Sequence, residues 1–131
     1  MIQPPSNVKI YDTPTSVFWF NEDGIVYSIT KESPPQALED SIKNLEFFKK
    51  IIGEKKVCLL IDVTYSQETT REIRDYAATE FPKFVKAIAL LSKSALGKML
   101  ANLFFTIKTQ PYPTKMFTEE KEAKEWLMQY L

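Results

Sequence analysis

The sequence contains no histidine. That removes the usual general base, the usual zinc ligand and the one side chain that ordinarily changes charge near neutral pH. Its single cysteine, Cys58, excludes an internal disulfide and every multi-cysteine metal or cluster site. Neither sign of charge is in surplus: 17 basic residues balance 17 acidic ones. Phosphate backbones need a basic excess or stripe, so nucleic acid is not an expected partner. The carboxylates form no tight pair outside helical faces, which leaves a glycosidase-like acid/base couple without support. The opening Met1-Ile2-Gln3-Pro4-Pro5 lacks a basic segment followed by an apolar run, so no signal peptide is expected and the location reads as cytoplasmic. Repeats, low-complexity tracts and linkers are missing too. No metal or cofactor is expected.

What is present is enough for one core. A chain of 131 residues with 44% hydrophobic and 13% aromatic content buries roughly two-thirds of its unfolded surface in a single domain. That domain is expected to span 1–131, with residues 1–7 flexible.

The chain alternates strands and helices. Thr15 to Phe20 and Ile25 to Thr30 are β-rich runs joined by Asn21-Glu22-Asp23-Gly24, a hairpin loop with glycine where a positive φ is needed. Val8 to Tyr11 suggests an edge strand, limited by Pro14. Ser33-Pro34-Pro35-Gln36 reads as a capped helix start. Leu38, Ile42, Leu45, Phe48 and Ile52 then follow at helical spacing up to Gly53. The run Lys56 to Val63 reads as a strand buried on both faces. Thr69-Thr70-Arg71-Glu72 offers a capping box for a second helix packing through Ile73, Tyr76 and Ala77, closed by Phe81-Pro82. Phe84 to Leu91 is a further buried strand, and Ser94 to Lys108 a third helix. Pro113 to Phe117 is the last strand. Thr118 then caps an amphipathic helix with Ala123, Trp126, Leu127 and Tyr130 on one face. The order ββαβαβαβα predicts an α/β domain whose mixed, mostly parallel sheet is covered by helices, with any site at the carboxyl ends of its strands.

This order resembles the SpoIIAA-like proteins, bacterial relatives of the STAS domain that are sometimes grouped with the CRAL-TRIO fold. Leu59-Leu60-Ile61-Asp62 on the central strand carries the resemblance, with Met116-Phe117 and Glu122-Ala123-Lys124-Glu125-Trp126-Leu127 at the end. The resemblance implies a non-enzymatic regulatory or protein-interaction module. STAS proteins of the anti-sigma antagonist type are phosphorylated in an Asp-Ser-Ser-Gly-like turn after the central strand. Here that region is Asp62-Val63-Thr64-Tyr65-Ser66-Gln67-Glu68-Thr69-Thr70, without that turn and without glycine.

Two groups of residues are candidates for a site. Asp62, Ser66, Thr69 and Thr70 form a potential binding or regulatory loop. Asp62 reads first as an acceptor for backbone N–H groups of the loop, and alternatively as a group orienting a ligand or partner amide. The hydroxyls read first as helix caps, and phosphate beside Asp62 and Glu68 would be repelled. Cys58, mid-strand and without a base, reads as a small buried hydrophobe. The second group is the third helix. Leu96, Met99, Leu100, Leu103 and Ile107 form a stripe sufficient to dock it on a sheet, and Ala95, Ala101, Phe104 and Phe105 widen the apolar arc.

At about 21 Å such a helix is too short for a bilayer core of about 30 Å. It reads either as packed between sheet and neighbour, or as a lid over a pocket, a partner face or a peripheral membrane contact at the inner membrane face. On the lid reading Met99, Leu103, Phe104 and Phe105 form the face, and Lys98 and Lys108 flank it within a positive rim that includes Lys83, Lys86 and Lys93. The function reads as an interaction module with an unknown protein partner. The alternative is a binding protein or sensor for a small apolar or amphipathic ligand, such as a lipid. Homodimerisation through an exposed third helix is a further expectation.

Overall fold

The computed structural model describes residues 2–106 and 109–131. Six strands form one sheet: β1 (Tyr11–Asp12), β2 (Ser16–Phe20), β3 (Val26–Thr30), β4 (Val57–Asp62), β5 (Val85–Leu91) and β6 (Thr114–Phe117). Their spatial order is their chain order. β1, β2 and β3 pair antiparallel, and β3 through β6 pair parallel. The helices are α1 (Leu38–Ile52), α2 (Arg71–Glu80), α3 (Ala95–Phe105) and α4 (Glu120–Met128). This is the expected α/β architecture, with a short third antiparallel strand at the edge.

The β2–β3 hairpin closes through backbone bonds between Asn21 and Ile25 and between Asn21 and Gly24, with Gly24 at φ 88°. Asp23 organises the turn. Its Oδ1 accepts from the Ile25 amide at 3.0 Å, and its Oδ2 accepts from the Tyr27 hydroxyl at 3.0 Å. Burial, then the Asp23 carboxylate, push the Tyr27 phenol far above its ordinary value.

The strand order decides where the helices lie. The chain steps steadily from β3 to β6, so right-handed crossovers place α1, α2 and α3 on the same face. Leu45, Phe48 and Ile52 of α1 and Ala101 and Phe105 of α3 pack there with Phe18, Val26, Leu59, Ile88 and Leu90 of the sheet. α4 follows the last strand and covers the other face, where Ala123 and Leu127 meet Trp19, Tyr27, Cys58, Leu60 and Ala89. Ile2, in the segment expected to be flexible, is buried on this face at 1% exposure.

Three local expectations are corrected. α1 starts at Leu38, not at Ser33: the two prolines hold the chain extended, and Asp40 Oδ2 accepts from the Ala37 amide at 3.2 Å to cap the later start. Thr118 does not cap α4, whose N-terminal flank is Glu119, with Glu120 and Glu122 in the first turn meeting the helix dipole.

The third correction concerns the rotation of α3. Leu96, Met99 and Leu103 are 59%, 61% and 52% exposed, whereas Gly97, Ala101 and Phe105 face inward. A Cβ on Gly97 would stand 2.7 Å from the Val63 carbonyl oxygen and 2.8 Å from that of Thr64. Close approach to the β4–α2 loop therefore selects the small residues, and the bulky stripe turns outward. Ile107 and Lys108 lie outside the described residues.

Candidate functional site

α1, α2 and α3 do not close completely over their face of the sheet. Between them and the strands lies a cavity of about 710 Å³, within the roughly 300–1,000 Å³ typical of small-molecule sites. Period-two alternation sets its floor: Ser16 and Phe18 of β2, Ser28 and Thr30 of β3, and Leu59 and Ile61 of β4 all point to it. Its walls are Ser41, Asn44, Leu45 and Phe48 of α1, Ile73, Tyr76 and Ala77 of α2, and Leu100, Ala101, Phe104 and Phe105 of α3.

The lining is graded. At one pole Phe48, Phe81, Phe84, Phe104 and Phe105 form a chain of ring contacts, with centroids 4.9 Å apart for Phe104 and Phe105 and 5.5 Å for Phe48 and Phe84. At the other, hydroxyls and amides gather. Asn44 Nδ2 donates to Thr15 Oγ1 at 3.3 Å, with Ser16, Ser28, Thr30 and Ser41 nearby on the lining. The loop from Ser66 to Thr70, leaving the carboxyl end of β4, supplies a polar margin. Burial raises the Tyr76 phenol above its usual value, so it stays neutral.

The candidates from the sequence divide. Ser66, Thr69, Thr70, Phe104 and Phe105 all line this cavity. Thr70 is also the N-cap of α2, its Oγ1 accepting from the Ile73 amide at 3.3 Å. Asp62 is buried, but alternation along β4 sends it to the α4 face with Cys58 and Leu60. There its Oδ1 accepts from the Thr64 amide at 3.0 Å, a loop-forming bond away from the cavity. Met99 and Leu103 lie outside the cavity, on a shallow depression shared with Glu68, Leu96, Leu100 and Asn102. Lys98 sits half-buried on the same helix. Cys58 is fully buried, which pushes its thiol up, away from the reactive thiolate form.

The polar pole was not anticipated. A signal for it exists in β3, where Val26, Ser28 and Thr30 share one face. Two hydroxyls at core-facing positions of an interior strand mark a face that is not packed solid. Among the described residues no three His, Cys, Asp or Glu side chains cluster as metal ligands, and no helix is long and apolar enough to cross a membrane.

Residues 18–131 match the family model described as "Domain of unknown function (DUF7793)". The chain belongs to the DUF7793 family. No curated protein matches it. Among solved structures, this DUF7793 domain is similar to an uncharacterised DUF3478-family protein with a SpoIIAA-like fold from Shewanella loihica PV-4. The two are 16% identical, with 92% of this chain and 91% of that one covered and a TM-score of 0.54. A protein of unknown function from Arthrobacter sp. FB24 is 28% identical, with 84% and 96% covered and a TM-score of 0.32. The fold of this DUF7793 domain is SpoIIAA-like, as the sequence implied.

Proposed function

We propose that this domain is a non-enzymatic binding protein, a carrier or sensor, for a small amphipathic ligand held between the sheet and α1–α3. The observation that supports it is the graded cavity of about 710 Å³, with phenylalanines at one pole and hydroxyls and amides at the other. Most sites for small molecules combine a largely apolar wall with a few convergent polar groups. The chemistry of turnover has no evident residues here. Among the described residues, the lining offers neither an activated nucleophile nor a paired acid and base, and the cysteine lies on the other face.

Native mass spectrometry of the protein, after incubation with a total lipid extract and removal of excess, tests the reading. A discrete adduct is expected, and Ala77→Phe, which places a ring in the cavity, should abolish it while leaving the melting temperature within a few degrees. Absence of any adduct, or an adduct unaffected by the filled cavity, overturns the proposal.

A second reading, a protein-interaction module of the STAS-like kind, draws on a different observation. Leu96, Met99 and Leu103 present an exposed apolar stripe on α3, and patches of this sort are where partners dock. Replacing all three by serine should then eliminate partner capture in pull-down experiments without touching ligand binding.

A further inference from the structure

We infer that the polar end of the ligand is uncharged (a hydroxyl, glyceryl, ester or amide group) and that it lies between β3 and the first half of α1, with the apolar tail running toward Phe84, Phe104 and Phe105. This rests on the ligand-binding reading above and narrows it to one chemical class.

The argument starts from charge. Among the described residues, two ionised side chains border the cavity, Lys31 and Glu68. Lys31 is already engaged: its ammonium pairs with the exposed Asp12 carboxylate and donates to the Thr13 carbonyl at 2.9 Å. Glu68 repels an anion. The amino terminus of α1, which would otherwise attract negative charge, carries Glu39 and Asp40 in its first turn, and Asp40 occupies the Ala37 amide. A carboxylate or phosphate drawn into this space would leave water without gaining a free cation, and such burial is strongly unfavourable. A permanent cation gains little either, since Glu68 is exposed to solvent at the cavity's margin and its charge is screened by water.

Neutral groups meet the opposite situation. The side chains of Ser28, Thr30 and Ser41 make no hydrogen bond to protein among the described residues, and no buried side-chain nitrogen or oxygen there is left without a partner. Those hydroxyls therefore face the open space of the cavity. Each both donates and accepts, as a hydroxyl, ester or amide head requires. Asn44, held by its bond to Thr15, keeps its carbonyl oxygen for a further donor. The tail's direction follows from alternation on the floor, where the hydroxyls of β3 give way to Leu59 and, beyond it, Phe84. At about 30 Å³ per non-hydrogen atom, taken from water's share of liquid volume, the space holds roughly twenty such atoms. That is the size of a medium-chain acylglycerol or a long-chain alcohol.

The test compares four probes that share one tail: dodecanol, monododecanoylglycerol, dodecanoate and dodecyl phosphate. Each is titrated below its micellar concentration into the delipidated protein, with displacement of an apolar fluorophore as the readout. The two neutral probes should bind, and the two anions should bind at least about tenfold more weakly at pH near 8. Dodecanoate should regain affinity as pH falls toward the range where a carboxylic acid is protonated, about pH 5, while monododecanoylglycerol should not change.

The paired variant Ser28→Ala with Thr30→Val should weaken monododecanoylglycerol about tenfold at unchanged melting temperature. Asn44→Leu should do the same if the pair perturbs folding. Anions binding as tightly as the neutral probes, or variants without effect on the glycerol ester, overturn this inference and leave the ligand-binding reading standing. Failure of all four probes to bind, together with no adduct from lipid extract, overturns both.

Discussion

Lys49, near the end of α1, donates through Nζ to Glu80 Oε1 at 2.9 Å, joining α1 to the last residue of α2 at the apolar pole of the cavity. Glu80 is shared, since Lys83 Nζ donates to its Oε2 at 2.8 Å. The Lys83 and Lys49 bonds hold the Glu80 carboxyl below its usual range, and the Glu80 bond raises Lys49 above its own. Two helices that meet few other groups are thus tied by one carboxylate.

A pH dependence follows. A carboxyl depressed on folding stabilises the native state above its unfolded pKa of about 4.3, and that contribution is lost as pH falls through the lower folded value. Lys49 acts in the opposite sense: its contribution is complete below the unfolded value of about 10.4 and disappears as pH rises through the raised folded one. Glu80→Gln should therefore destabilise by about 1 kcal/mol near pH 7, discounted for the partly exposed lysines. The difference from the parent should shrink as pH falls below the unfolded value of about 4.3 and vanish only once pH lies below the depressed folded value. Urea denaturation of both proteins across that range measures it, and a constant difference would show that the carboxylate's charge is not involved.

Truncation of leucines should separate the two faces of the sheet. Leu60 is fully buried under α4, and Leu60→Ala should cost about 2–5 kcal/mol. Leu45 faces the same sheet from α1 but borders the cavity and is only partly buried. Leu45→Ala should cost no more than about 1–2 kcal/mol, because part of its surroundings is already empty. Equal losses from the two variants would mean that the cavity is closed in solution.

Gly97→Ala should be far more damaging than its small size suggests. The added methyl would meet backbone oxygens at 2.7 and 2.8 Å, and neither can swing aside as a side chain would. A loss of about 1–3 kcal/mol is expected from the forced backbone shift. Gly53 offers a control: it has nothing within 4 Å of the new atom, only a φ of 72° that strains an L residue. Calorimetric melting of the two variants ranks them.

The hydroxyl of Thr70 should matter for stability more than for signalling. Removing the cap on the Ile73 amide by Thr70→Ala should cost about 1 kcal/mol. Incubation with kinase extracts should leave Ser66, Thr69 and Thr70 without stoichiometric phosphate, because Glu68 already makes the loop negative and the only glycine-bearing turn of that kind is missing from 62–70. Intact-mass measurement reads the outcome directly.

The strands were legible because their signals are local and redundant: the continuous apolar run at Val57 to Ile61 and the Asp23-Gly24 turn leave little choice. The rotation of α3 was not legible from apolar size. Eight of the eleven residues from Ala95 to Phe105 are apolar, so a stripe of large side chains can be drawn on the wrong side. The deciding signal is the four-residue spacing of Gly97, Ala101 and Phe105, which marks where a backbone comes close. The cavity depends on a failure of three helices to meet, a property of the assembled layers that no single segment encodes. Phe104 and Phe105 were singled out for the breadth of the arc, and both reach the cavity because the helix is rotated to put its small residues against the β4–α2 loop.

A sheet whose strands stand side by side in the order in which they occur has a consequence for how the molecule is made. Every new strand finds its neighbour already in place, so the sheet grows at one margin as synthesis proceeds, without waiting for a distant segment. The helices that follow β3, β4 and β5 shelter one side during that growth. The other side, with Trp19, Leu60 and Ala89, stays bare until α4 folds back with Ala123 and Leu127. The final helix is therefore the step that ends exposure of a sticky surface, and a nascent chain stalled before residue 120 is the form most prone to aggregate or to recruit a chaperone.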